Sequence, residues 1–259
     1  MKKKINLAQI FWGSVGILFI LVVWFIASQQ ETLGKLMPNP LDVFSYIFVS
    51  FVEPIGKYTI GVNILYSMSR VMVGYLLACV VGITLGFLVG WFKVGEAIIK
   101  PFYLLLKSIP SISWIPLAIM WFGIGEESKY FIIFIAAMLI IMTNAIDGVA
   151  DVNQDYIGVA RMLGTSEKQI FFKVVFPSAV PQIFNGLQVG LSAAWASVVA
   201  AEMVASSEGA GWLILMGQNS VNMVQIFAGI IIIGVMGLVL ALVMRWAEAK
   251  LCAWNIRGA

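Results

Sequence analysis

From Ile10 to Val243 the chain returns repeatedly to stretches of roughly 20 residues that hold one charged side chain or none, the length a helix needs to cross the hydrocarbon of a bilayer. Inside lipid such a stretch can satisfy its backbone N–H and C=O groups only within itself, so each is read as a helix. The runs are Ile10 to Ser28, Ile60 to Trp91, Pro101 to Gly123, Tyr130 to Thr143, Pro181 to about Ala205, and Ile226 to Val243. About six spans predict an all-α, polytopic membrane protein. They leave no room in 259 residues for a soluble domain of ordinary size, so a single transmembrane domain over 1–259, with its core at about 60–247, is expected.

Composition agrees and removes several functions. Hydrophobic residues make up 61% and charged residues 11%, against about 25% charged in a soluble domain. The chain has no histidine, which removes histidine metal sites, Ser-His triads and histidine proton relays. Cys79 and Cys252 have no spacing that suggests a metal or disulfide framework, and no cofactor or metal is expected. A net charge of +3, with lysines and arginines spread among loops, argues against nucleic acid as a partner. Membrane lipid is the partner that composition implies.

Within the first run Trp12 and Trp24 stand near the ends as interfacial anchors, and the run is read as an uncleaved span rather than a signal peptide. The Pro38-Asn39-Pro40 turn leads into a short amphipathic stretch, Leu41 to Phe51. Ile60 to Trp91 is too long for one perpendicular span, so it is either a tilted helix or an interfacial helix feeding a span near Val73. Gly82, Gly86 and Gly90 line one face of it and invite close approach of another helix. Arg70 is expected either as an anchor or with a partner. Lys93, Glu96 and Lys100 read as a short basic turn.

Pro101 to Gly123 is interrupted by Lys107-Ser108-Ile109-Pro110 and by Pro116, which rules out a straight helix. Irregular backbone at membrane depth is tolerated only against protein or water, so this region is a candidate translocation path. Ser113 and Trp114 are its candidate residues, with Asn144, Ser197 and Glu202 from later spans. Asn144 and Asp147 also suit a helix end. Gly123 to Lys129 reads as an external turn, Pro181 as the first turn of the fifth span, and Ser206 to Gly211 as a further turn. Glu202 has no cation near it in sequence.

The longest polar interruption is Asp151 to Pro181, between the fourth and fifth spans. Asn153 is placed to cap a short helix with Asp155 in its first turn. Tyr156, Val159, Ala160 and Leu163 form a narrow apolar stripe along it. Gly164 is placed to end that helix in a left-handed conformation, and Ser166 with Gln169 forms a capping box that starts another. At about 15 Å the first helix cannot span a bilayer. Lysines 2–4, Lys93, Lys100, Arg161, Lys168, Lys173, Arg245, Lys250 and Arg257 fall on the side of this loop, and only Lys35, Lys57 and Lys129 on the other. Both termini and the loop are therefore expected in the cytosol.

The loop resembles the signature of ABC importer permease subunits, in which Glu-Ala-Ala, three residues, glycine, nine residues and an apolar-x-apolar-proline cluster recur. Gly158, Val159 and Ala160 stand at the Glu-Ala-Ala positions, Gly164 at the glycine, and Val174, Phe176 and Pro177 at the end. Gly158 therefore departs from the family's glutamate. SIPSISWIPLAIMWFGIGEESK, Ser108 to Lys129, and AAEMVASSEGAGWLI, Ala200 to Ile214, are similar to segments of the nitrate, sulfonate and taurine group. The resemblance implies a coupling loop at about 151–181, with Asp155, Tyr156, Gly158, Val159, Ala160, Arg161, Leu163 and Gly164 meeting an ATPase. It implies two ATPase subunits, a second permease copy as a homodimer, an extracytoplasmic solute-binding protein, and the bacterial plasma (inner) membrane.

The chain has no GxxxxGK[ST] phosphate loop, so it is not expected to be an enzyme, and ATP belongs to another polypeptide. A self-contained secondary transporter would show interrupted helices in both halves, whereas the interruption near Lys107 has no counterpart near Trp195. An intramembrane hydrolase would need a base beside Ser192 or Ser197. Neither has one in sequence.

Overall fold

A computed structural model describes residues 7–252 except 33 and 35, with side chains from 11 onward. Lysines 2–4, Lys35 and Arg257, which weigh in the expected orientation of the termini, lie outside the described residues. The described residues form eleven α-helices and no strand. They are α1 (Leu7–Ser28), α2 (Pro40–Ser50), α3 (Ile60–Trp91), α4 (Lys93–Lys107), α5 (Ile115–Phe122), α6 (Glu126–Ala150), α7 (Gln154–Met162), α8 (Glu167–Ile170), α9 (Phe176–Ala205), α10 (Ala210–Asn219) and α11 (Met223–Leu251). Five of these are long and apolar enough to cross a membrane, or six if α4 and the Ser111–Phe122 segment, bent by 92°, count as one broken span.

The core is a three-helix sandwich in which α6 lies between α3 and α9. Its cause is the small-residue pattern. A Cβ on Gly82 would lie 2.9 Å from the Met138 carbonyl oxygen, one on Gly90 2.9 Å from Val149 Cβ, and one on Gly190 2.9 Å from Ile141 Cγ1. Because hydrocarbon surrounds the bundle, backbone approach and van der Waals packing replace the hydrophobic drive of a soluble core. Ile133, Ala137 and Ile141, on the α6 faces that meet these stripes, are wholly buried. At the edge, α2 and α10 pack on α11, where Gln225 Nε2 donates to the Leu213 carbonyl at 2.9 Å and the Tyr46 hydroxyl donates to Gln225 Oε1 at 3.2 Å.

Several boundaries differ from expectation. Ile60 to Trp91 is one unbroken helix of 32 residues. The residues read as a basic turn, Lys93 to Lys100, begin α4, in which Glu96 and Lys100 pair at 2.6 Å one turn apart and Pro101 is tolerated inside the helix. The turn expected over Gly123 to Lys129 is confined to Gly123–Gly125, because Glu126 and Glu127 begin α6, where acidic residues suit the helix N-terminus. Pro181 lies inside α9 and Pro177 takes the first-turn place. The second short helix does not stand alone. From α8 the chain passes through a π-helical turn, Phe171–Val175, directly into α9. The sequence reading left α10 unassigned.

Candidate functional site

Two ends of the bundle carry the polar groups. At the loop end, the Asn153 side chain accepts from the Asp155 N–H at 2.8 Å and starts α7. Gly164 has φ of +74°, and its N–H donates to the Arg161 carbonyl while Thr165 N–H reaches the Ala160 carbonyl, so the helix stops in a left-handed residue. Ser166 and Gln169 form the reciprocal capping box that opens α8. Arg161 Nε donates to Glu167 Oε1 at 2.7 Å and fastens α7 to α8 across the corner, and that carboxylate holds the Arg161 guanidinium above its ordinary pKa.

The burial of α7 is one-sided. Ile157 is 4% exposed and packs with Val152, Ile170 and Val175, with Ala160 beside them. Tyr156, Val159, Met162 and Leu163 are 63, 55, 89 and 79% exposed. The expected stripe is thus split: Ala160 turns inward with Ile157, and Tyr156, Val159 and Leu163 turn outward. Asp155 and Arg161 are exposed beside them. Gly158 is open, with nothing near the place a side chain would take. The result is a short helix on a fixed base with an apolar outer face.

At the far end, Arg70 uses all five guanidinium N–H groups. It holds Glu126 with two bonds, 2.7 and 2.8 Å, Glu202 Oε1 at 2.8 Å, Glu208 Oε1 at 2.9 Å and the Glu208 carbonyl at 2.8 Å. Glu202 also accepts from the Ser67 hydroxyl and from the Gly211 N–H at 2.9 Å. Ser67 and Asn63 in turn accept from the N–H groups of Ala210 and Gly209. The first turn of α10 is therefore capped by α3 and by the Glu202 carboxylate, where a helix N-terminus favours negative charge. Gly209 is required, with φ of +118° and no room for a Cβ against Glu202. The cluster ties α3, α6, α9 and α10 together. Glu202 has a cation after all, supplied from 132 residues away.

The five side chains expected along a path do not converge. Glu202 has no exposed surface. Asn144 clasps α6 to α9, accepting from Asn185 Nδ2 at 3.1 Å and Gln182 Nε2 at 3.3 Å. Ser197 faces the Ser111 hydroxyl at 3.3 Å. Ser113 is exposed on the 3₁₀ turn Ser111–Trp114, and Trp114 packs edge-on to Phe131. Between this broken segment and α6 lies a cavity of about 200 Å³ lined by Lys107, Pro110, Ser111, Leu139, Thr143 and Ala193 among others. Lys107 lines this cavity, whereas the sequence marks it only as part of the break in the third apolar run. A lone charge beside Pro110 inside an apolar run was the signal.

The chain is 36% identical to a nitrate import permease protein of Synechocystis over 91% of this chain and 87% of that one. It is 30% identical to the taurine transport system permease protein of Escherichia coli, covering 93 and 89%. A bicarbonate transport system permease protein of Synechococcus elongatus is 32% identical, covering 94 and 88%. Among solved structures, the fold is similar to the MetNI methionine ABC transporter in an inward-facing conformation, with TM-score 0.62 over 71% of this chain and 92% of that one at 17% identity. Residues 82–251 match the family model of the binding-protein-dependent transport system inner membrane component, and the chain belongs to that family.

Proposed function

We propose that the chain is the membrane-spanning subunit of an ABC importer, that it moves a small anion inward by alternating access, and that α7 is the element through which a separate ATPase drives it. The observation that carries this reading is the outer face of α7 and its C-cap: four apolar or aromatic side chains exposed on a helix too short to cross a membrane, held by Ile157, the Asn153 cap and the Gly164 turn. An apolar face on a fixed base suits insertion into a groove of a partner protein. Two ATPase subunits, a second permease copy related by a twofold axis, and a solute-binding protein at the far end complete the assembly, with α7 cytosolic. The substrate class follows the relatives, whose names are nitrate, taurine and bicarbonate permeases.

Proteoliposomes test this. Vesicles holding the chain with its ATPase subunit and binding protein are expected to accumulate labelled nitrate, taurine or bicarbonate only when ATP is supplied, and the chain alone is expected to hydrolyse none. Uptake by the chain alone, driven by an ion gradient, would replace this reading with a secondary transporter.

A further inference from the structure

We propose that Lys107 and the cavity beside it form an anion subsite at mid-depth of the bundle, with the Lys107 ammonium selecting small oxyanions; this rests on the permease reading above and names the group that acts on the substrate. Depth comes first. Leu139 and Thr143 line the cavity from α6, and at 1.5 Å per residue Leu139 lies about 20 Å from the Glu126 end and about 16 Å from the Ala150 end. Ala193 lines it from α9, about 18 Å from the Ala205 end by the same measure. The cavity is central.

Lys107 is exposed on the single chain; at this depth a lone charge turned to hydrocarbon would cost a few kcal/mol, and the interface, about 15 Å away, is beyond its stem. Within the bundle Arg70 is paired with three carboxylates, Lys129 with Glu126, and Lys100 with Glu96. Among the described residues no carboxylate lies within ion-pair distance of Lys107. Its Nζ lies 5.6 Å from the Tyr103 ring centre, and that tyrosine's hydroxyl is hydrogen-bonded to Thr143. Lys107 is also the last residue of α4, where outward-facing carbonyls favour a cation, and it has no fixed counter-charge.

The lining has the remaining features of an oxyanion site. Ser111 offers a hydroxyl, with Ser197 behind it at 3.3 Å. Pro110 and the 92° bend open the backbone on that side. The volume of about 200 Å³ takes a planar or tetrahedral oxyanion with several waters, each of about 30 Å³. Cations would meet Lys107 and be rejected, and neutral solutes would gain nothing from it.

The test uses the purified chain and needs no ATPase. A single cysteine at Ser111→Cys, with Cys79→Ala and Cys252→Ala, is treated with a sulfonate-bearing and with a trimethylammonium-bearing methanethiosulfonate. After correction for their intrinsic rates, the anionic reagent is expected to lead by about tenfold or more, as a unit charge a few ångströms away requires. Lys107→Gln should erase the preference, Lys107→Arg should keep it, and nitrate should slow labelling only where a cation is present. Equal rates with Lys107 in place, no labelling by either reagent, or a preference that survives Lys107→Gln would each overturn the subsite. Failure of the permease reading would show separately, as absent ATP-driven uptake with the charge preference intact.

Discussion

Among the described residues Arg70 is the largest side chain that is completely buried, and it shows what one residue contributes at the end of a membrane bundle. Its charge is met by Glu126, Glu202 and Glu208, of which only Glu202 is fully enclosed. Removing one partner of a buried pair leaves the other charge unmatched, at about 3–5 kcal/mol. Arg70→Ala is therefore expected to lower the melting temperature of the purified chain sharply, and adding Glu202→Gln should recover part of the loss, since a neutral amide no longer needs the guanidinium. Scanning fluorimetry of both variants checks this, and equal losses in the single and double variants would mean that the two residues do not act as a pair. The pair was not legible in sequence. Arg70 and Glu202 were each visible as isolated charges, but a bond between α3 and α9 depends on α6 bringing both helices to one place.

At the scale of an element, α3 is defined by what it lacks. Gly74, Gly82, Gly86 and Gly90 place its backbone against α6, and at Gly86 a Cβ would lie 3.0 Å from the Met142 carbonyl oxygen. Gly86→Leu forces side-chain atoms into that contact, and overpacking of this kind costs about 1–3 kcal/mol. The expected outcome is a chain that inserts but is more readily cleaved by protease, while Leu at Gly234 on α11, where the space is open, should do little. The glycine stripe and both caps of α7 were legible because they depend on local spacing and turn chemistry. Element boundaries were less so: Pro101 and Pro181 read as the first residues of spans yet sit inside helices, since surrounding packing outweighs the one backbone bond each removes. The short α10 escaped notice because its first turn is capped by residues from α3 and α9 rather than from its own sequence.

On the scale of the whole molecule, the polar work is divided between two ends and a middle. The far end is locked by the Arg70 cluster, the centre carries the cavity beside Lys107, and the loop end presents α7. Beyond the Gly164 corner, α8, the π-helical turn and α9 form one continuous helical rod rather than a flexible linker, the route along which the proposed coupling would act. Gly164 sets the corner of that rod, and a β-branched residue at its φ of +74° costs about 1 kcal/mol or more in strain alone. Leu163, 79% exposed, belongs to the proposed docking face and is not packed into the fold. The most direct measurement is co-purification of the ATPase subunit with Leu163→Asp, Gly164→Val and Gly158→Ala, set against membrane abundance by immunoblot. All three are expected at normal abundance, with ATPase recovery lost in Leu163→Asp and Gly164→Val and kept in Gly158→Ala. Full ATPase recovery with both Leu163→Asp and Gly164→Val would contradict the account, leaving α7 a passive connector between two spans.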